Sequence, residues 1–393
     1  MIRCIVAEGY RSLRSVYVPL GRLTVVTGAN GAGKSSLYRV LGLLCAAASG
    51  GVVGALAREG GLSSTLWAGP ELISGAMRRG ERPVQGTVRR GPVALRIGFG
   101  ADELSYAVDL GLPQRSDVPS LFSRDPQVKV EAVWAGPRPR PAGLLAERRG
   151  PVVRCRGDAG WDVLPVTLSP FDTMLAEVAD ARAAPEVHRV RDSVRSWRFY
   201  DQIRTDRGSP ARAGSVGTRT TALAADGSDL AAALATIDEI GDGDRLAATI
   251  DAAFPGSRVE VVDRDGVFDL ALHQPGLLRP LLAAELSDGT LRFLVWSAAL
   301  LSPRPPELLV LNEPENSLHP DLLPPLAALI VAASRRGQVL LVSHSALFRD
   351  ALRRAADADD SELSDVALVK SLGETSIRDQ GPFEGAAWTW PRR

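Results

Sequence analysis

Leu23-Thr-Val-Val-Thr-Gly-Ala-Asn-Gly-Ala-Gly-Lys-Ser35 is the stretch on which the reading of this chain turns. Its second part, Gly28 to Ser35, fits the pattern G-x-x-x-x-G-K-[ST]. The apolar run Leu23 to Thr27 reads as a buried strand, and apolar residues recur at helical spacing from Ser36 to Leu44. Strand, glycine loop and helix is the setting in which this pattern cradles a phosphate. Glycine allows the backbone to turn its N–H groups inward without a Cβ clash. The helix N-terminus adds unpaired donors and a partial positive charge. Lys34 can reach the β- and γ-phosphates, and the Ser35 hydroxyl can hold Mg2+. Lysine is scarce here, with only Lys34, Lys129 and Lys370 in the chain, so a lysine in this loop is not a matter of composition.

Two further apolar runs end in chemistry. Leu308-Leu-Val-Leu-Asn-Glu-Pro-Glu-Asn-Ser-Leu-His-Pro320 reads as a buried strand that delivers Glu313 to the edge of a sheet, the Walker B arrangement. Glu313 is suited to orient an attacking water or take its proton. The residue before it is Asn312, where an aspartate usually helps to bind Mg2+; an amide offers an oxygen but no charge. Mg2+ is then expected to depend more on the nucleotide and Ser35. Val339-Leu-Leu-Val-Ser-His-Ser345 is a third strand ending in His344, which can donate to a γ-phosphate and sense it. Between the loop and Glu313 lies Leu286-Ser-Asp-Gly-Thr290, followed by the helical Leu291 to Leu301. It is either an ordinary helix capped by Ser287 or Asp288, or a second anion site. A second phosphate-binding helix is redundant within one nucleotide site and makes sense if it closes the site of another subunit.

The remaining sequence sets bounds. A chain of 393 residues with 45% apolar content can bury a large core, and its formal net charge of zero gives no global pull toward nucleic acid or membrane. Cys4, Cys45 and Cys155 are far apart and contain no C-x-x-C pair, so buried free thiols in a reducing cytosol are expected. Met1 to Glu8 reads as a strand followed by charge rather than a leader, and no apolar run reaches the length of a membrane span. Residues 86–98, 103–110 and 125–134 read as strands of a meander, and 171–203 as helix broken near Pro185. Residues 230–237 and 244–254 read as amphipathic helices. Eight arginines against three aspartates between Arg189 and Arg219 read as a self-paired surface in preference to a nucleic-acid contact. Trp388 and Trp390 are expected to pack onto the core.

Taken together, the four elements resemble the ABC-type ATPase heads of the SMC and RecF group, and most closely stand-alone bacterial AAA-type ATPase proteins. Gly9-Tyr-Arg-Ser-Leu13, the Gly28–Ser35 loop, Leu286-Ser-Asp-Gly-Thr290, Asn312 to Pro320 and Ser343-His344 carry the resemblance. So do Glu59-Gly-Gly61, Trp197-Arg-Phe-Tyr200, Ser209-Pro-Ala-Arg212 and Asp226-Gly-Ser-Asp-Leu230. In such heads two subunits sandwich two ATP molecules. The resemblance implies that Asn30, Gly31, Ala32, Gly33, Lys34, Ser35 and Ser36 bind the nucleotide. Ser287 and Gly289 would cap the γ-phosphate of a partner, Ser35 and Asn312 would hold Mg2+, and Glu313 and His344 would be catalytic. Ser317 to Pro320 would be the crossing loop, with His319 where an aspartate is common. Arg11 and Ser12 would lie near the base or ribose. Gln85 is a candidate for the glutamine that such heads carry on a loop. No long heptad arm is present, and the 49 residues after His344 are too few for an appended nuclease.

The expected fold is therefore α/β, a P-loop NTPase of ABC-ATPase type with a mixed, mainly parallel sheet. Residues 1–50 and 281–393 would form the ATPase lobe, with a strand-rich and helical lobe, 51–280, inserted. The expected activity is hydrolysis of ATP with Mg2+ by a cytoplasmic homodimer, in DNA transactions or phage defence with a separately encoded effector. The competing reading is a nucleotide-gated binding module with little hydrolysis. A transporter subunit is disfavoured by the chain's length and its strand-rich insertion.

Overall fold

A computed structural model describes residues 1–71, 73–85, 94–113, 120–201, 203–380 and 388–393. Two compact units emerge, neither coinciding with the lobes drawn from the motifs. One comprises Met1–Leu20, Val26–Ser196 and Val366–Arg393; the other comprises Gly21–Val25 and Trp197–Asp365.

The first unit is built on an eight-stranded antiparallel sheet. Its strands run in the order Leu13–Pro19, Ile2–Tyr10, Leu95–Ala101, Leu104–Gly111, Gln127–Ala135, Leu144–Arg149, Val152–Gly157 and Gly160–Thr167. The expected meander is thus present, joined by the two N-terminal strands. Residues 86–93 of its first expected strand lie outside the described residues. Ile97, Phe99, Tyr106, Val108, Val130 and Trp134 are among its buried side chains. Within this apolar setting Arg148 and Glu131 are both fully buried and paired at 3.0 Å. A buried charge pair is tolerable only when its other hydrogen-bonding positions are filled. Here Arg148 also donates to the carbonyls of Gly150, Ser169 and Asp172, and Glu131 accepts from the Tyr106 hydroxyl and the Met174 N–H. The helices Lys34–Ala48 and Pro185–Ser196 belong to the same unit, tied by Arg195 Nε donating to the Ala48 carbonyl at 2.8 Å.

The helical stretch expected over 171–203 is broken at Pro185 as expected, into Met174–Glu177 and Pro185–Ser196, but its end needs correction: Arg198–Tyr200 is a strand. Proline opens the second helix because the first helical position has no use for its missing N–H. The aromatic run that follows forms a strand because it finds a parallel partner in Leu308–Asn312. The C-terminal tryptophans pack as expected, with Trp388 edge-on to Trp134 at 5.3 Å.

The second unit holds the parallel strands. Arg198–Tyr200, Leu308–Asn312 and Gln338–Val342 lie side by side, followed by the start of Leu23–Gly28. Leu308 to Leu311 and all of Gln338–Val342 are buried. This is why they appear in the sequence as continuous apolar runs and not as alternating ones. Helices Leu230–Ile240, Asp288–Leu300, Leu323–Ser334 and Ala346–Ala358 contribute to one core with these strands. A small antiparallel sheet of Ser215–Val216, Val267–His273 and Arg258–Arg264 completes the unit, with Leu281–Leu282 pairing alongside. Among the described residues no helix is long and apolar enough to cross a membrane.

Candidate functional site

The phosphate loop of the first unit has the shape its glycines predict. Gly28, Gly31 and Gly33 have φ of 148°, 77° and 113°. At Gly33 the need for glycine is double, since a Cβ would also lie 2.4 Å from Thr375 Oγ1. Thr375 is fully buried, and its hydroxyl is 2.8 Å from both the Ala32 carbonyl and the Ser12 hydroxyl. A hydroxyl has one proton, so Thr375 donates to the carbonyl and accepts from Ser12. This fastens the loop to the Tyr10–Leu13 turn, where Arg11 has a φ of 47°. Arg11 itself pairs with Glu59 at 2.6 Å, and the Tyr10 hydroxyl donates to the same carboxylate. Arg11 and Ser12 thus have structural partners close to the loop.

An anion fits this loop. The helix Lys34–Ala48 begins at Gly33 with no side chain capping it and no acidic residue in its first turn. Its leading N–H groups therefore have no competing side-chain acceptor. Gly31 has open space where a Cβ would stand. The Lys34 ammonium is folded over the loop, donating to the Gly28 and Ala29 carbonyls at 2.6 and 3.3 Å, and Ser35 is exposed beside it. These are the groups that ATP phosphates and Mg2+ need.

In the second unit, the ends of two adjacent strands bring Glu313 and His344 together. The Glu313 N–H bonds the Val342 carbonyl, which prolongs the ladder by one residue. The chain then turns sharply, with φ of 49° at Glu313 and 62° at Ser317, conformations rare outside glycine. Glu313 Oε1 lies 3.1 Å from His344 Nδ1, and its Oε2 accepts from Asn316 at 2.6 Å. Beneath them, Glu315 Oε1 accepts from the Ser343 hydroxyl, whose oxygen accepts from the Ser345 N–H. Glu315 Oε2 is buried without a partner, and burial pushes this carboxyl above the ordinary range. Asn312 donates its Nδ2 to Asp201 at 2.7 Å.

Ser287 is the N-cap of Asp288–Leu300, accepting from the Thr290 N–H at 3.1 Å. The capped-helix reading is therefore correct as far as it goes, yet Ser287 is exposed and could serve a second purpose. Gly289 is not needed by the backbone. Its φ is not positive, and a Cβ there would meet only the Ser317 carbonyl, at an ordinary 3.5 Å. The loop is braced by Arg212, which donates to the Ala283 and Leu286 carbonyls and to Asp288. His319 is an exposed cap of the Pro320–Leu322 turn. Gln85 lies in an exposed turn of the first unit. Arginines of the basic segment have partners, some within it and some beyond it: Arg204 pairs with Asp206, Arg189 with Glu103, and Arg195 with the Ala48 carbonyl.

Asp201, Arg212, Glu315 and Thr375 carry no individual signal as site residues in the sequence, although Arg212 and Glu315 lie inside the Ser209–Arg212 and Asn312–Pro320 motifs. Asp201 directly follows the Trp197–Tyr200 motif, but Thr375 has no local signal at all. Among the described residues, no three His, Cys, Asp or Glu side chains form a group able to hold a metal ion. None of the three cysteines is in a disulfide, and burial pushes Cys155 up to about 11, so it is an inert thiol.

A strand–loop–helix with three left-handed glycines, and parallel strands ending in an acid and a histidine, define a P-loop NTPase of the ABC-ATPase type. A family model described as "AAA domain, putative AbiEii toxin, Type IV TA system" matches residues 23–132 and 169–350, and the chain belongs to this AAA family. Several solved structures are similar over nearly the whole chain. One is an SMC head bound to the C-winged helix domain of ScpA (12% identity, TM-score 0.49, covering 96% of this chain and 97% of that one). Another is the SMC head domain from Thermotoga maritima (13%, 0.45, 96% and 97%). A third is an SMC head with an extended coiled coil, bound to the C-terminal domain of ScpA, derived from Pyrococcus furiosus (12%, 0.48, 96% and 95%). A search of curated proteins found no match. The resemblance to AAA-type ATPases holds at the level of the family.

Proposed function

We propose that the chain binds ATP with Mg2+ and hydrolyses it, and that Glu313 and His344 serve the γ-phosphate. The observation that carries this reading is the 3.1 Å contact between these two side chains at the ends of adjacent parallel strands. Phosphoryl transfer asks a protein mainly for positioning and for charge stabilisation. The loop N–H groups and Lys34 would hold the phosphates, Ser35 and Asn312 would hold the Mg2+ that supplies charge neutralisation, and Glu313 orients water and takes its proton. His344 donates from Nδ1 to Glu313 and fixes the carboxylate, and in its doubly protonated form the Nε2–H can also donate to the γ-phosphate. Removing a general base lowers rates by about 10²–10⁴-fold. Glu313→Gln is therefore expected to keep ATP affinity and lose at least about 100-fold in single-turnover phosphate release, while Lys34→Ala loses ATP binding. Equal release from wild type and Glu313→Gln would overturn the assignment.

A second reading is favoured by one observation: both Glu313 oxygens are engaged, by His344 and Asn316, and Asn312 brings no charge. On this reading ATP closes a binding module and hydrolysis is slow. The same single-turnover comparison separates the two. In either case the working unit is a pair of chains bridged by ATP, with Ser287 and Gly289 of one facing the phosphates of the other. The exposure of Ser287 and the absence of any fold requirement at Gly289 support this. The biological setting we propose is cytoplasmic, in DNA transactions or phage defence with a separately encoded effector. The family's description as a toxin of a type IV system is consistent with a defence role.

A further inference from the structure

We infer that Asp201 carries the negative charge that the Asn312 position lacks, and that the two side chains act as one unit toward the divalent cation accompanying ATP. The inference rests on the ATP-binding reading above. Strand Arg198–Tyr200 runs parallel to Leu308–Asn312 with Tyr200 opposite Leu311. The next pair in that register is Asp201 and Asn312, so the backbone itself places the carboxylate beside the amide. Their side chains meet at 2.7 Å. A carboxylate only accepts hydrogen bonds, so the amide must turn its nitrogen to Asp201. The Asn312 Oδ1 is thereby left as the end available to a cation. Asp201 is exposed, and among the described residues it forms no ion pair with an arginine, lysine or histidine, so none of these neutralises its charge.

This also accounts for asparagine at 312. An aspartate there would set two carboxylates against each other at hydrogen-bonding distance, where like charges disfavour joint ionisation. One acid and one amide avoid the repulsion and keep a single negative charge between these two side chains. The acid stands one strand over, and Asp201 is a positioning residue for the site.

The test is a charge exchange read by Mg2+ dependence. ATP affinity of the purified full chain is measured with a fluorescent ATP analogue across a Mg2+ titration, and melting temperatures are recorded without nucleotide. Asp201→Asn keeps an acceptor for Asn312 but removes the charge. It is expected to raise the Mg2+ concentration at half-effect by at least about tenfold, leaving Mg2+-free nucleotide binding unchanged. Asn312→Asp alone should lower the melting temperature. The double exchange, Asp201→Asn with Asn312→Asp, should restore both the melting temperature and the Mg2+ midpoint to within about threefold of wild type. An Asp201→Asn midpoint equal to wild type, or a double exchange no better than the worse single variant, would overturn the inference while leaving ATP binding intact. A wild-type chain that fails to bind the analogue at all would overturn the ATP reading and this inference with it.

Discussion

Glu315 shows how much a single side chain can reveal. It sits two residues beyond Glu313, yet it is buried and turned toward Ser343, with its second oxygen unpartnered. Burial raises its affinity for a proton. The folded chain therefore holds this proton more tightly than the unfolded chain does. Stability from this group is present at low pH and is lost as pH rises from about 4.5, the ordinary glutamate value, through the raised folded value. Glu315→Gln cannot ionise and should escape that loss. The variant's melting temperature should thus gain on wild type as pH increases from 4.5 to 8; a constant difference across that range would refute it. In the sequence Glu315 is one of two acids in Asn-Glu-Pro-Glu, and nothing local announces that it is buried while Glu313 is only partly so. The left-handed turn at Glu313 makes the distinction, and that turn depends on the strand pairing on which the loop rests.

At the scale of elements, the parallel strands were the most legible part of the chain. Their runs of buried aliphatic residues can be read without knowing their partners. Strand Arg198–Tyr200 was misread as helix because a three-residue aromatic run has too little period of its own. Its identity comes from the neighbouring strand. The antiparallel sheet depends on a feature with no sequence signature, the Glu131–Arg148 pair. Removing one partner of a buried ion pair costs about 3–5 kcal/mol, because the remaining charge is stranded. Arg148→Met should cost that much in denaturant unfolding, and should also free the carbonyls of Gly150, Ser169 and Asp172. A cost under 1 kcal/mol would mean that the pair is not needed by the sheet.

For the whole molecule, the claim to be tested is that one chain does not complete a nucleotide site. Glu313→Gln with ATP and Mg2+ is expected to run as a dimer by light scattering, and wild type without nucleotide as a monomer. Ser287→Arg should bind ATP with wild-type affinity and remain monomeric. A Ser287→Arg chain that still pairs on ATP would rule out the two-chain site. The trapped dimer also serves to test the proposed DNA role. Binding measured at two salt concentrations, with and without ATP, should depend on both if phosphate contacts are made in the closed form.

The sequence by itself determined the phosphate loop, the strands that carry Glu313 and His344, and the helix begun by Ser287. Each is a local pattern of a few residues whose chemistry and backbone needs are written consecutively. Only the tertiary structure decided the partners: Thr375 against Gly33, Ser343 against Glu315, Arg212 beneath the Ser287 loop, and Asp201 beside Asn312. These contacts join residues 28 to 342 positions apart, and no periodicity reaches across such distances. They are set by strand order and register, which arise when apolar runs bury one another and bring their polar ends together. The apparent defect in the motif, an asparagine where an acid is expected, was plain in the sequence. The acid beside it became visible only once two strands lay side by side.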